Sequence, residues 1–126
     1  MLIIDTDVLI WYLRGNDKAY KTIENIENFS ISVITYMELV QGMRNKKELN
    51  GLRQALHVWN TRILYISEEI SAKAMFAVEQ HFLSHSMQLA DALIGATAIS
   101  YGLPLLTGND KHYKIMKEIQ LKRFRP

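Results

Sequence analysis

The apolar pattern of the chain changes period several times. Leu2-Ile3-Ile4 is a continuous apolar run, as expected of a strand covered on both faces. Val8 to Leu13 follows and ends at the turn signal Arg14-Gly15-Asn16, which predicts a short helix entered through Thr6 or Asp7 as N-cap. Over 17–28, Tyr20, Ile23 and Ile26 recur at helical spacing between polar residues, predicting an amphipathic helix. Phe29 to Val33 alternates with the period of a strand. A helix then opens at Thr35, where Thr35 and Glu38 have capping-box spacing. Leu49, Leu52, Leu56 and Trp59 mark one face of a further helix over 46–60.

The second half repeats the alternation. Residues 62–66 read as a strand, and Ser67-Glu68-Glu69 starts a helix running toward His85. Leu89 to Tyr101 is a helix rich in small residues, stopped by Gly102. Residues 103–107 read as a fourth strand and 119–122 as a fifth. Strands alternating with helices predict an α/β fold of three layers, with a mainly parallel central sheet of four to five strands. Sheets of this kind bind ligands beyond the carboxyl ends of their strands. The 126 residues fit a single domain, 1–126.

Composition removes several classes of chemistry. There is no cysteine, which excludes thiol catalysis, thiolate zinc sites and disulfides, and is compatible with a cytoplasmic location. No apolar run is long enough for a bilayer, and the N-terminus has no leader pattern, so a soluble protein without membrane contact is expected. The net charge of +2 says little by itself. Its distribution says more: Lys111, His112, Lys114, Lys117, Lys122, Arg123 and Arg125 face only Asp110 and Glu118 after residue 109, and Arg44, Lys46 and Lys47 form a second cluster. Either cluster could be a solvated surface or a rim that attracts phosphate.

The acids supply the candidate chemistry. Asp5 lies just past the first strand and Asn109 and Asp110 just past the fourth, while Glu38 and Asp91 sit in opening turns of helices. Each has an ordinary reading as a cap, a first-turn acid or a turn residue. Brought together, carboxylates raise one another's pKa, and a hard divalent cation such as Mg2+ or Mn2+ relieves that repulsion. Such an ion can activate water against a phosphodiester.

Four stretches in order resemble the PIN-domain family, and within it the VapC-type toxins of toxin–antitoxin pairs. They are Ile3 to Ile10, Ser32 to Leu39, Leu89 to Ala96, and Pro104 to Asn109. The resemblance implies a three-layer fold and Mg2+- or Mn2+-dependent cleavage of RNA. It places Asp5, Glu38 and Asp91 at the family's first three acidic positions, with Asp5 and Asp91 as direct ligands and Glu38 binding metal or orienting its water. Thr6 and Thr107 fall on positions that hydrogen-bond within the site, and Asp7 on one that fixes the loop. The fourth acid departs from the family pattern: Asn109 and His112 stand where relatives have acids and Asp110 lies between them, so Asn109 or Asp110 could complete the site, or three acids could suffice. Arg44, Lys46 and Lys111 are candidates for holding RNA. A cognate VapB-like antitoxin and a homodimer are also implied, with Trp11 or Tyr12 as contact positions if they are not core.

Other readings stay open. Asp5-Thr6-Asp7 after a buried strand is similar to haloacid-dehalogenase-type phosphatases, which also need a later Lys and an acidic pair. A non-catalytic binding module would keep the acids only for docking. His81 and His85 have a zinc-compatible spacing without a third ligand, and Ser84 and Ser86 lack a nucleophile-elbow motif.

Overall fold

The alternating pattern becomes a three-layer sandwich in the computed structural model of the chain, which describes residues 1–85 and 87–126 and, of His85, the backbone only. The described elements are β1 (Ile3–Ile4), α1 (Thr6–Leu13), α2 (Asp17–Glu24), β2 (Ser30–Ser32), α3 (Val33–Gln41), α4 (Lys46–Val58), β3 (Arg62–Leu64), α5 (Glu68–His85), α6 (Leu89–Tyr101), β4 (Leu105–Thr107), α7 (Asp110–Tyr113) and β5 (Leu121–Arg123). Among the described residues the strands form one five-stranded sheet in the order β3-β2-β1-β4-β5, with every neighbouring pair parallel.

Two apolar clusters flank the sheet, and side-chain alternation along the strands feeds both. Leu2, Ile4, Ile31 and Leu106 join Val8, Leu9, Ile23, Leu39, Leu52 and Leu56 on the face covered by α1 to α4. Ile3, Leu64 and Leu105 join Ile70, Ala74, Ala92, Ala96 and Tyr113 on the face covered by α5 to α7. This explains the polar alternation in β2. Ser30 and Ser32 do not face water: both are fully buried, and Ser32 Oγ accepts the Ile34 amide at 3.0 Å as N-cap of α3.

Several boundaries correct the sequence reading. The cap of α1 is Asp5, one residue before Thr6, because its carboxylate accepts the Thr6 amide. α2 ends at Glu24, and its predicted continuation to residue 28 is lost: the chain turns through Asn25 and through Asn28, whose φ is 55°, to enter β2. Thr35 is not a cap either, since α3 has already begun at Val33. Glu38 is therefore free of capping duty. The strand predicted over 62–66 ends at Leu64, and Tyr65 is exposed. Gly102 does end α6, with a φ of 64° that glycine adopts without strain.

The chain moves outward from β1 to β3 under one layer of helices, then returns across the other face to β4 beside β1. The connections after β1 and β4 leave to opposite faces, which opens a crevice at their carboxyl ends. Asp5 and Thr107 lie buried at those two strand ends. No helix among the described residues is long and apolar enough to cross a membrane. The side chain of His85 and all of Ser86 lie outside the described residues, so the zinc-spacing and serine readings fall there.

Candidate metal centre

Asp5 is the hub of the crevice. It is only 4% exposed; Oδ1 accepts the Thr6 amide at 2.8 Å and Oδ2 accepts the Thr107 hydroxyl at 2.7 Å. β1–β4 pairing brings together these two residues, 102 positions apart. Burial, and then the charge of Asp7, push the Asp5 pKa from 3.8 up to about 7, against the hydrogen bonds from Thr107, Thr6 and Tyr113. Burial also raises the Asp7 pKa. Asp7 Oδ2 accepts the Gly108 amide at 2.9 Å, while Oδ1 is buried with no hydrogen-bond donor among the described residues.

The other acids attach to this hub through neutral side chains. Thr6 Oγ1 lies 2.7 Å from Glu38 Oε1 and shares a 3.0 Å hydrogen bond with the fully buried Thr35 hydroxyl. On the other side, the Tyr113 hydroxyl donates to Asp91 Oδ1 at 3.4 Å and also faces Asp5. Burial, with the charges of Asp5 and Asp91, drives the Tyr113 pKa upward, so it remains a protonated donor. His112 Nδ1 lies 3.4 Å from Asp91 Oδ2, an ion pair only when the imidazole is protonated. Glu38, Asp5 and Asp91 thus share one neighbourhood, with Thr6 and Tyr113 between them. Among the described residues no three acid or histidine side chains close on a single point.

The donor set is nevertheless suited to a hard divalent ion. It is oxygen-rich, it contains a buried carboxylate whose ionisation is opposed by burial, and it leaves Asp7 Oδ1 unsatisfied. Asn109 is exposed beside it, its amide bonded to Thr107 Oγ1 at 2.9 Å. Asp110 is differently placed. Its Oδ1 is 3.0 Å from Arg125 Nη2 and its Oδ2 is 3.5 Å from Arg123 Nε. The Arg125 hydrogen bond holds its carboxyl below the usual range, against burial and with help from the charges of Arg125 and Arg123.

Among the candidate RNA contacts, Lys111 is exposed on α7 and Lys46 at the start of α4. The exposed Arg44 holds Glu48 through Nε at 3.1 Å and Nη2 at 2.8 Å. Trp11 and Tyr12 both pack against the core while remaining half-exposed, and Tyr12 stacks on Tyr20 and meets Trp59 edge-on.

The profile of the PIN domain family matches residues 2–118, nearly the whole chain. The chain belongs to the PIN-domain family. Ribonuclease VapC1 of Methanocaldococcus jannaschii is 31% identical over 125 aligned positions, covering 96% of this chain and 85% of the relative. Ribonuclease VapC10 of Mycobacterium tuberculosis is 30% identical, covering 95% and 91%. A toxin–antitoxin complex from Klebsiella pneumoniae contains a chain that superposes with a TM-score of 0.75 at 28% identity, covering 94% of this chain and 95% of that one. VapBC-1 from nontypeable Haemophilus influenzae superposes at 0.78 with 20% identity, a likeness of fold, covering 97% and 96%.

The phosphatase alternative has no support around Asp5 of this PIN domain, whose carboxylate among the described residues meets Thr6, Thr107 and Tyr113 and no lysine. Sequence reasoning missed Tyr113, Thr35 and Gly108 as parts of the site. Tyr113 had a usable signal, a single aromatic three residues after Asp110. Gly108 had none, because its need is spatial: a Cβ there would lie 2.7 Å from Asp7 Oδ2 and 3.3 Å from the Phe124 carbonyl. The first atom is tied to Gly108 itself and the second is backbone, so neither yields easily. Gly108→Ala is expected to destabilise the PIN domain by about 1–3 kcal/mol in urea unfolding.

Proposed function

We propose that this PIN domain, as a single unit over 1–126, is a divalent-metal-dependent endoribonuclease and the toxin of a VapBC-type pair. The observation that carries the reading is Asp5: a buried carboxylate with a pKa raised to about 7, linked through Thr6 to Glu38 and through Tyr113 to Asp91. Ribonuclease names among its relatives support the same activity.

Asp5, Asp91 and Glu38 would hold Mg2+ or Mn2+, with Asn109 as a further oxygen donor. Held there, the ion would supply an activated water and offset charge on the scissile phosphate. The chain's own residues do the positioning. Thr107 and the Thr6 amide fix the two oxygens of Asp5, Thr6 orients Glu38, Tyr113 and His112 orient Asp91, and Asp7 anchors the loop at Gly108. Lys111, Lys46 and Arg44 would meet RNA phosphates, and RNA as substrate fits a cytoplasmic location.

The antitoxin has a place to bind. A groove of about 590 Å³ runs between α1, α3 and α4, lined by Ile10, Leu13, Leu39 and Leu52 and reaching Glu38. A partner segment laid there would end at the site. Gly51 borders the groove, and a Cβ there meets open space. Gly51→Trp is expected to keep or slightly raise stability, since a mid-helix glycine costs about 1 kcal/mol, and to weaken antitoxin binding at least tenfold by calorimetry. A homodimer would use exposed apolar residues of α5 such as Phe76, Phe82 and Leu83.

The test is incubation of the purified protein with total RNA in Mg2+, in Mn2+ and in EDTA. Discrete fragments with either metal, abolished by EDTA and by Asp91→Asn, are expected. Intact RNA under every condition would leave a non-catalytic module.

A further inference from the structure

We propose that Asp110, Arg123 and Arg125 form a clasp that positions the active-site loop, and that Asp110 acts as a positioning residue instead of a metal ligand. The inference rests on the nuclease reading above. Three observations carry it. Both Asp110 oxygens are taken by arginines, at 3.0 and 3.5 Å, and the residue is 4% exposed. Arg125 reaches further, its Nη1 donating to the carbonyls of Gly108 at 3.2 Å and Phe124 at 3.1 Å. Gly108 is therefore held from two sides: its carbonyl by the tail arginine and its amide by Asp7 at 2.9 Å.

The same clasp seats α7. Asp110 is the first residue of that helix, and two residues later His112 and then Tyr113 meet Asp91. β5 completes the frame, with Arg123 opposite Thr107 and the Phe124 amide bonded to the Thr107 carbonyl at 2.9 Å. One short segment thus carries Thr107 to Asp5, Gly108 to Asp7 and Tyr113 to Asp91, and the tail arginines brace it from behind. The arginine side chains are 62% and 48% exposed, so the pairs add little to global stability. Their effect is geometric, and sub-ångström looseness at a catalytic centre is felt in rate.

The rival role for Arg123 and Arg125 is direct contact with RNA. The two roles give opposite kinetics. A positioning clasp makes Asp110→Asn and Arg125→Ala alike: kcat falls tenfold or more, KM stays within about twofold, and the double variant is no worse than either single, because one unit is broken in each. Arg125→Lys recovers only part of kcat, since one ammonium cannot replace a guanidinium that spans the Asp110 carboxylate and the Gly108 and Phe124 carbonyls. If the arginines contact RNA instead, Arg125→Ala raises KM at unchanged kcat, and Asp110→Asn, which frees them, lowers KM. That result overturns the proposal.

Amide hydrogen exchange of the metal-free protein gives a readout independent of activity. Gly108 protection is expected to fall at least tenfold in both single variants, with β2 and β3 unchanged. Unchanged Gly108 exchange overturns the clasp. If wild-type protein fails to cut RNA, the nuclease reading fails, and the exchange measurement still decides whether the clasp exists.

Discussion

Asp5→Asn is expected to make the metal-free protein more stable at pH 7.5, by about 2–4 kcal/mol, while lowering RNA cleavage at least a thousandfold. The Asp5 pKa lies at about 7 in the folded chain against 3.8 for an unperturbed carboxyl, so the folded state holds the proton more tightly than the unfolded one. The Asp5 contribution to wild-type stability therefore declines as pH rises through the window from about 4 to 7 and is flat beyond it. The span between the two values corresponds to about 4 kcal/mol, an upper bound because water and relaxation soften burial. Asparagine stays neutral throughout and is a good N-cap. Its Oδ1 can keep the Thr6 amide and its Nδ2 can donate to Thr107 Oγ1. Urea unfolding in EDTA at pH 5 and pH 7.5 checks this: the variant's advantage should appear at the higher pH and shrink at the lower. Equal stability of the two proteins at pH 7.5 would count against a strained carboxylate.

The second large effect is metal linkage. At pH 7.5, Mn2+ at a hundred times its dissociation constant is expected to stabilise the wild type by about 2.7 kcal/mol, roughly a 10 °C rise in Tm for a chain of this size. Below pH 7 the ion must displace a proton from Asp5, and affinity falls about tenfold per pH unit. At pH 5 and the same Mn2+ concentration the rise should shrink to roughly 2 °C or less. Asp5→Asn should show almost no rise at either pH. A rise of the same size at pH 5 and pH 7.5, or one retained in the variant, would mean that the ion binds elsewhere.

These effects explain why some of the site could be read from sequence and some could not. The run Leu2-Ile3-Ile4 followed by Asp5 marks a buried strand end, and ligand crevices lie beyond strand ends whatever the order of the strands. Asp91 was legible because small residues and Gly102 bound its helix clearly. Strand order was not legible, since alternation specifies crossovers without saying that β4 lies beside β1; that adjacency brings Thr107 to Asp5. Local rules also misled where a side chain serves the site. Asp5 was displaced as N-cap by its neighbours Thr6 and Asp7, and Thr35 with Glu38 imitated a capping box while its hydroxyl was buried against Thr6. α7 is four residues long, too short for any periodicity to reveal. The bond from Arg125 to Asp110 spans fifteen residues and depends on β5 lying against β4, which no window of sequence contains.

Anomalous diffraction from crystals soaked in Mn2+ is the most direct measurement of whether acids from distant segments share one cation. The expected result is a manganese peak within bonding distance of Asp5 and Asp91 carboxylate oxygens, with Glu38 bound directly or through a water and Asp110 still on its arginines. A peak on Asp110, or well-ordered crystals with no manganese at Asp5, would contradict it.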